Sequence, residues 1–261
     1  MTEYKNIKLK VDEHTAILTL SHPPVNALSP AMLKEISQAL DELTTQKNVR
    51  ALIITASGSN AFCAGADIKE VASAGPGGAA EIVSLGHETF SKLENFRAPT
   101  IAAINNLTLG GGLELALACD IRISSDRARF GFPEVTLGLI PSWGGSTRLP
   151  RVVGRGRAKE MIYTGAMINA QEALRIGLVN KVVPDGDEVR AAQDIAKRIA
   201  TKSSPVAVAA AKRAINVGSD LPIEDALGVE VKEMLEVANS KDLQEGITAF
   251  VEKRQPVFKG E

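Results

Sequence analysis

The sequence predicts an α/β protein. Strand-like and helix-like stretches alternate as far as Pro184, turns rich in glycine and polar residues separate them, and beyond that point only helical patterns remain. "IKLKV" and "AILTLS" alternate in polarity around "DEHT", which predicts a hairpin over residues 7–21. A helix follows, with Ser29 as its cap, Pro30 at its first position, and Met32, Leu33, Ile36, Leu40 and Leu43 on its apolar face. "VRALIITAS" is a continuous apolar run and predicts a buried strand. A turn, "AFCAGADIKE", a glycine-rich loop "ASAGPGGAA" and an amphipathic helix over residues 81–96 come next. "PTIAAIN" is a strand leading into three consecutive glycines and a short apolar helix. "DIRISS" and "ARFGF" are short strands. Helices over 155–164 and 169–176 then precede a last strand in "GLVNKVV". Four helices complete the chain, over 187–201, 205–216, 223–238 and 241–251, dividing it into a core (1–186) and a helical region (187–261). "PVAVAAAKRAI" and "ALGVEVKEMLEVA" are too apolar to stand in water, so they are expected to pack on the body or on another subunit.

Thirty basic side chains against thirty-one acidic ones give a net charge of −1, which offers no bulk attraction to nucleic acid or to an anionic membrane. Cys63 and Cys119 lie far apart with no CxxC, and His14, His22 and His87 form no ligand-spaced cluster, so neither a metal nor a disulfide is expected. The opening residues have no charged and apolar leader pattern, and no apolar run is long enough to span a bilayer. A soluble cytoplasmic protein is the expectation.

Two acids stand out. Glu114 is the only charge in "LTLGGGLELALAC", and Glu134 is the only one between Phe130 and Pro141. Burying an unpaired carboxylate is unfavourable. Each acid has two readings: neutralised by a buried arginine such as Arg122 or Arg148 or exposed at a helix edge, or held in apolar surroundings that raise its pKa into the range of a general acid or base. The glycines at 110–112 and the turn at "CAGAD" each end a strand and lead toward a helix, whose first N–H groups lack internal partners. Two backbone donors could converge there on one oxygen, although tight packing is the commoner reason for such glycines. GxGxxG and Walker patterns are missing, as are a nucleophile elbow and a Ser/His/Asp order. Phosphate cradling and covalent catalysis are therefore disfavoured.

"HPPVNAL", "AFCAGADIKE", "LGGGLELALACDIRI", "FGFPEVTLGLIPSWGGSTRLPRVVG", "ALRIGLVNKVV" and "FVEKRQPVF" together resemble the enoyl-CoA hydratase (crotonase) family in order and spacing, over nearly the whole chain. The resemblance implies a crotonase-like spiral of ββα units with a C-terminal helical trimerisation region, assembled as a dimer of trimers. It implies an acyl-CoA thioester substrate and no cofactor beyond the CoA that the substrate carries. By motif position, the N–H groups of Ala66 and Gly111 correspond to the oxyanion hole, Glu114 to the base that activates water, and Glu134 to the acid at C2. Asp67, Ile68 and Lys69 fall with Ala66 on the strip that contacts CoA. Ala64, Gly110, Pro141 and Ser142 are further substrate contacts, and Phe250 and Lys253 match residues that reach a neighbouring subunit's CoA. Where many hydratases read PGAGG, this chain reads "PSWGG", and "SHPPVNAL" is a residue shorter than the usual form.

The activity so implied is hydration of a trans-2-enoyl-CoA. The alternatives are another reaction of the family (3-hydroxybutyryl-CoA dehydration, methylglutaconyl-CoA hydration or enoyl-CoA isomerisation) and an RNA-binding or scaffolding role. Retention of both acids favours hydration. The helix from Pro30 to Lys47 carries only Lys34 and Lys47, and the best basic patch is Arg148, Arg151, Arg155, Arg157 and Lys159.

Overall fold

The computed structural model describes residues 3–261. Strands β1 (Ile7–Asp12) and β2 (Thr15–Leu20) form the hairpin, with Ile7 opposite Leu20. Helix α1 (Pro30–Thr45) starts where Ser29 Oγ accepts the Met32 N–H at 3.2 Å, and it buries the five apolar residues that mark its face. Then come β3 (Ala51–Ala56), β4 (Ala61–Cys63), α2 (Ile68–Ser73), α3 (Gly75–Glu94), β5 (Thr100–Ile104), β6 (Leu107–Leu109) and α4 (Gly111–Leu117). β7 (Ile121–Ser125), β8 (Arg129–Gly131), a 3-10 turn (Glu134–Leu137), α5 (Gly145–Val153) and α6 (Arg155–Thr164) follow. β9 (Ile168–Asn169), α7 (Ala170–Arg175) and β10 (Lys181–Val183) end the core. The last helices are α8 (Glu188–Lys202), α9 (Pro205–Gly218), α10 (Ile223–Ala238) and α11 (Lys241–Val251).

The strands of the described residues form a six-stranded sheet, in the order β1-β2-β3-β5-β7-β10, and a four-stranded sheet, in the order β4-β6-β8-β9. All neighbours are parallel except the hairpin and the β8–β9 pair. Successive turns of chain thus place one strand in each sheet: β3 then β4, β5 then β6, β7 then β8. This is the expected ββα spiral. Its turns have no fixed period in sequence because they differ in length: the first carries α2 and α3, the second only short α4.

Alternation along β3 explains why its sequence is apolar throughout. Leu52 and Ile54 join α1 and α3 in the main core, while Ala51 and Ile53 face Ala192 and Ala196 of α8. α8 therefore closes the second face of the large sheet as part of the body, and of the four last helices it is α9, α10 and α11 that leave apolar side chains in solvent, among them Ile215, Leu227, Val231, Leu235 and Phe250.

Two local expectations are corrected. The glycine-rich stretch is not a loop: α3 begins at Gly75, because packing of Ala79, Ile82 and Val83 over a cavity outweighs the weak helix propensity of glycine. The stretch after "PSWGG" is also a helix, α5, whose Pro150 and leading glycines conceal it in the sequence.

Candidate active site

α4 is short and every residue in it is buried, so Glu114, in its first turn, is carried into the interior by its neighbours' packing. Its Oε1 accepts hydrogen bonds from the N–H groups of Trp143 and Gly145, each at 2.7 Å. Gly145 is the first residue of α5, so the carboxylate sits at the positive end of that helix. Neither arginine considered as a neutralising partner bonds to it. Arg122 donates to the carbonyls of Leu178 and Cys119, and Arg148 grips Glu94 through Nε at 3.1 Å and Nη2 at 2.6 Å. Burial pushes the Glu114 carboxyl up to about 7, the N–H donors of Gly145 and Trp143 hold it back, and the nearby charge of Glu134 raises it further.

Glu134 opens the 3-10 turn and lies against Gly110, which stands at φ 49° at the start of α4; a Cβ there would come within 2.7 Å of Glu134 Oε1. Glu134 Oε2 is buried and has no hydrogen-bond partner among the described residues, and burial raises the carboxyl above its ordinary range. Two acids with elevated pKa values therefore face one space.

Two free donors face the same space. Asp67 N–H bonds to Leu28 and Leu28 N–H to Gly65, which leaves Ala66 N–H without a partner among the described residues; Gly111, first in α4, has none either. The two residues lie close together: a Cβ built on Gly111 would lie 3.4 Å from Ala66 N.

A cavity of about 330 Å³ joins these groups. Ala64, Ala66, Ile68, Gly110, Gly111, Glu114, Glu134 and Ser142 all line it. Asp67, Lys69, Pro141, Phe250 and Lys253 do not line it. Asp67 caps α2 by accepting the Lys69 N–H at 3.0 Å, and Pro141 packs behind the loop against Gly145. Phe250 is 85% exposed on α11, and Lys253 follows that helix in a left-handed conformation. Sequence reasoning missed the apolar lining from Ile82, Val83, Leu139 and Ile140, which carry no chemical signature. It noted Trp143 only as a departure, although that residue is a wall of the cavity.

Both cysteines are buried and free, and burial pushes each thiol up to about 12, so neither is a thiolate nucleophile at neutral pH. The basic patch is largely paired: Arg148 with Glu94, Arg151 with Asp220 at 2.8 Å, and Arg157 with Glu160 at 2.7 Å. Among the described residues no helix is long and apolar enough to cross a membrane.

The family described as enoyl-CoA hydratase/isomerase matches residues 11–261. The chain belongs to this family. A short-chain-enoyl-CoA hydratase of Clostridium acetobutylicum is 42% identical over 254 residues, 97% of each chain. A crotonyl-CoA hydratase of Syntrophomonas wolfei is 43% identical over 98% of each. The crystal structure of an enoyl-CoA hydratase from Bacillus anthracis superposes with a TM-score of 0.95 at 43% identity, covering 98% of this chain and 100% of that one. The crotonase fold expected from the motifs is the fold observed.

Proposed function

We propose that the protein is an enoyl-CoA hydratase, adding water reversibly across the 2,3 double bond of a trans-2-enoyl-CoA to give a 3-hydroxyacyl-CoA. The observation that carries this reading is the placement of two carboxylic groups with raised pKa values, Glu114 buried and Glu134 half-buried, beside two unpartnered backbone N–H groups in one apolar cavity. In the forward direction Glu114 takes a proton from water as its oxygen bonds to C3. The π electrons pass to C2 and on to the thioester oxygen, and Ala66 N–H and Gly111 N–H stabilise the enolate. Glu134 delivers a proton to C2 as the carbonyl reforms. The donors are fixed before reaction by the strand-to-helix turns that carry them, and each is worth about 3 kcal/mol to the transition state. Water is the co-substrate, and the reaction as written needs no other cofactor.

Dehydration is the same chemistry reversed, and the presence of both acids supports hydration over an isomerisation that needs one. We place the CoA moiety along Ala66–Lys69. Phe250 and Lys253, which do not line this chain's own cavity, then serve a neighbouring subunit's substrate in a dimer of trimers. The exposed apolar faces of α9, α10 and α11 support such an assembly. The test is turnover of crotonyl-CoA, followed by loss of the conjugated thioester absorbance; a purified, folded protein without that activity on any enoyl-CoA overturns the reading.

A further inference from the structure

Trp143 lines the same cavity as Glu114 and Glu134, yet only 4% of it is exposed, while Leu137, Leu139 and Ile140 on that cavity are largely in solvent. The three aliphatic residues thus mark the mouth, and the indole marks the inner end. Room for the ring comes from two residues without side chains. A Cβ on Gly86 of α3 would lie 2.3 Å from the indole Cδ1, and one on Gly111 would lie 2.5 Å from Cζ3. Phe90 meets the ring edge to face, with centroids 5.9 Å apart and planes at 89°. The indole is therefore slotted between α3 and the start of α4.

The slot is occupied at a cost. Trp143 Nε1 is buried with no acceptor among the described residues, an arrangement that disfavours the folded state. A phenylalanine would fill much of the space without that penalty, so what the position retains is the size of the ring and not its polarity. The backbone of the residue is also fixed. Its N–H donates to Glu114 and its carbonyl accepts from Arg148 Nη1 at 3.2 Å, so the wall cannot recede without moving the Glu114 carboxylate.

We infer that Trp143 sets the acyl length at this site and restricts the protein to short-chain enoyl thioesters. The inference rests on the hydratase reading. An acyl tail that passes Glu114 meets the indole face after few carbons, and longer tails must displace a ring wedged between two helices.

The test compares kcat/KM for crotonyl-CoA and trans-2-decenoyl-CoA in the wild type, Trp143→Ala, Gly86→Ala and the double variant. The wild type is expected to favour crotonyl-CoA strongly. Trp143→Ala should raise the decenoyl-to-crotonyl ratio by about tenfold or more, the discrimination of one or more methylenes in an apolar pocket. Gly86→Ala alone should drive the ring into the cavity and lower the decenoyl-to-crotonyl ratio further, and Trp143→Ala should relieve that effect in the double variant. Trp143→Phe, which keeps a ring against Phe90, gives a smaller rise and serves if the alanine variant does not fold. An unchanged ratio in a folded Trp143→Ala protein, or a wild type that hydrates decenoyl-CoA as well as crotonyl-CoA, overturns the proposal. Calorimetric binding of saturated butyryl-CoA and decanoyl-CoA separates the two ideas. Loss of all turnover with preferential butyryl-CoA binding in the wild type sinks the hydratase reading and keeps the wall, whereas equal binding sinks the wall.

Discussion

Glu114 is held where a carboxylate is poorly solvated, and its two N–H donors only partly offset that environment. Glu114→Gln and Glu134→Gln are each expected to lower crotonyl-CoA turnover by about a hundredfold to ten-thousandfold, the contribution typical of a general acid or base. Near wild-type rates in either variant would show that the two-carboxylate mechanism is wrong. The raised pKa also fixes a pH signature. As proposed base, Glu114 must be ionised, so kcat/KM for hydration should decline on the acid side below about pH 7. Stability runs the other way. The folded state holds the Glu114 proton up to about pH 7 while the unfolded chain releases it near its ordinary value of 4.5, so stability falls as pH rises through that window. Glu114→Gln should therefore melt higher than the wild type at pH 8, by up to roughly 3 kcal/mol, with the difference vanishing below pH 4.5. Equal melting temperatures at pH 8 would mean that Glu114 is not destabilised by burial.

At the scale of elements, the segment from Pro141 to Gly145 does three things: it supplies both N–H donors to Glu114, places the indole, and starts α5. Its tether is Arg148, which reaches forward to the Trp143 carbonyl and sideways to Glu94 at the end of α3. The guanidinium makes these contacts from three nitrogens, forking onto Glu94 through Nε and Nη2 while Nη1 reaches the carbonyl, and a single ammonium nitrogen cannot reproduce that fork. Arg148→Lys and Arg148→Met should therefore both lower kcat/KM, by up to about a hundredfold if the donors shift by 1 Å. Arg148→Met should also lower stability by roughly 1.5–3 kcal/mol through loss of a charged hydrogen-bonded pair. Full activity in Arg148→Lys would assign the residue a merely electrostatic role. Tertiary packing also made α3 longer than its sequence pattern indicates, since Ala79, Ile82 and Val83 pack over the cavity and carry the helix back to Gly75.

Across the whole molecule, the uneven distribution of apolar surface points outward from one chain. α8 spends its alanines on the large sheet, whereas α10 leaves Leu227, Val231 and Leu235 in solvent. Leu235→Glu should leave the fold of a subunit intact, because the side chain is 61% exposed, and should lower the mass measured in solution. An unchanged mass would remove α10 from the proposed interface. Lys253→Ala should keep the oligomer and raise KM for crotonyl-CoA while leaving kcat nearly alone, as expected when a contact is made equally in ground and transition states. A fall in kcat at constant KM would instead place Lys253 near the reacting atoms.

By itself the sequence determined the α/β class, most of the longer strands and helices in their order, and both acids. Periodicity records which face of each element is buried, and a lone charge in an apolar run, as at Glu114 and Glu134, is conspicuous without coordinates. The family motifs point to Ala66 and Gly111, which the fold brings to one cavity. Tertiary structure alone decided what Glu114 bonds to, that α8 belongs to the body, that residues 75–80 are helical, and that Trp143 closes the cavity. Each of these depends on a contact between segments far apart in the chain. Trp143 meets Gly86 and Gly111, and Glu114 meets the start of α5, only when the spiral has closed; no local pattern encodes the distance between them.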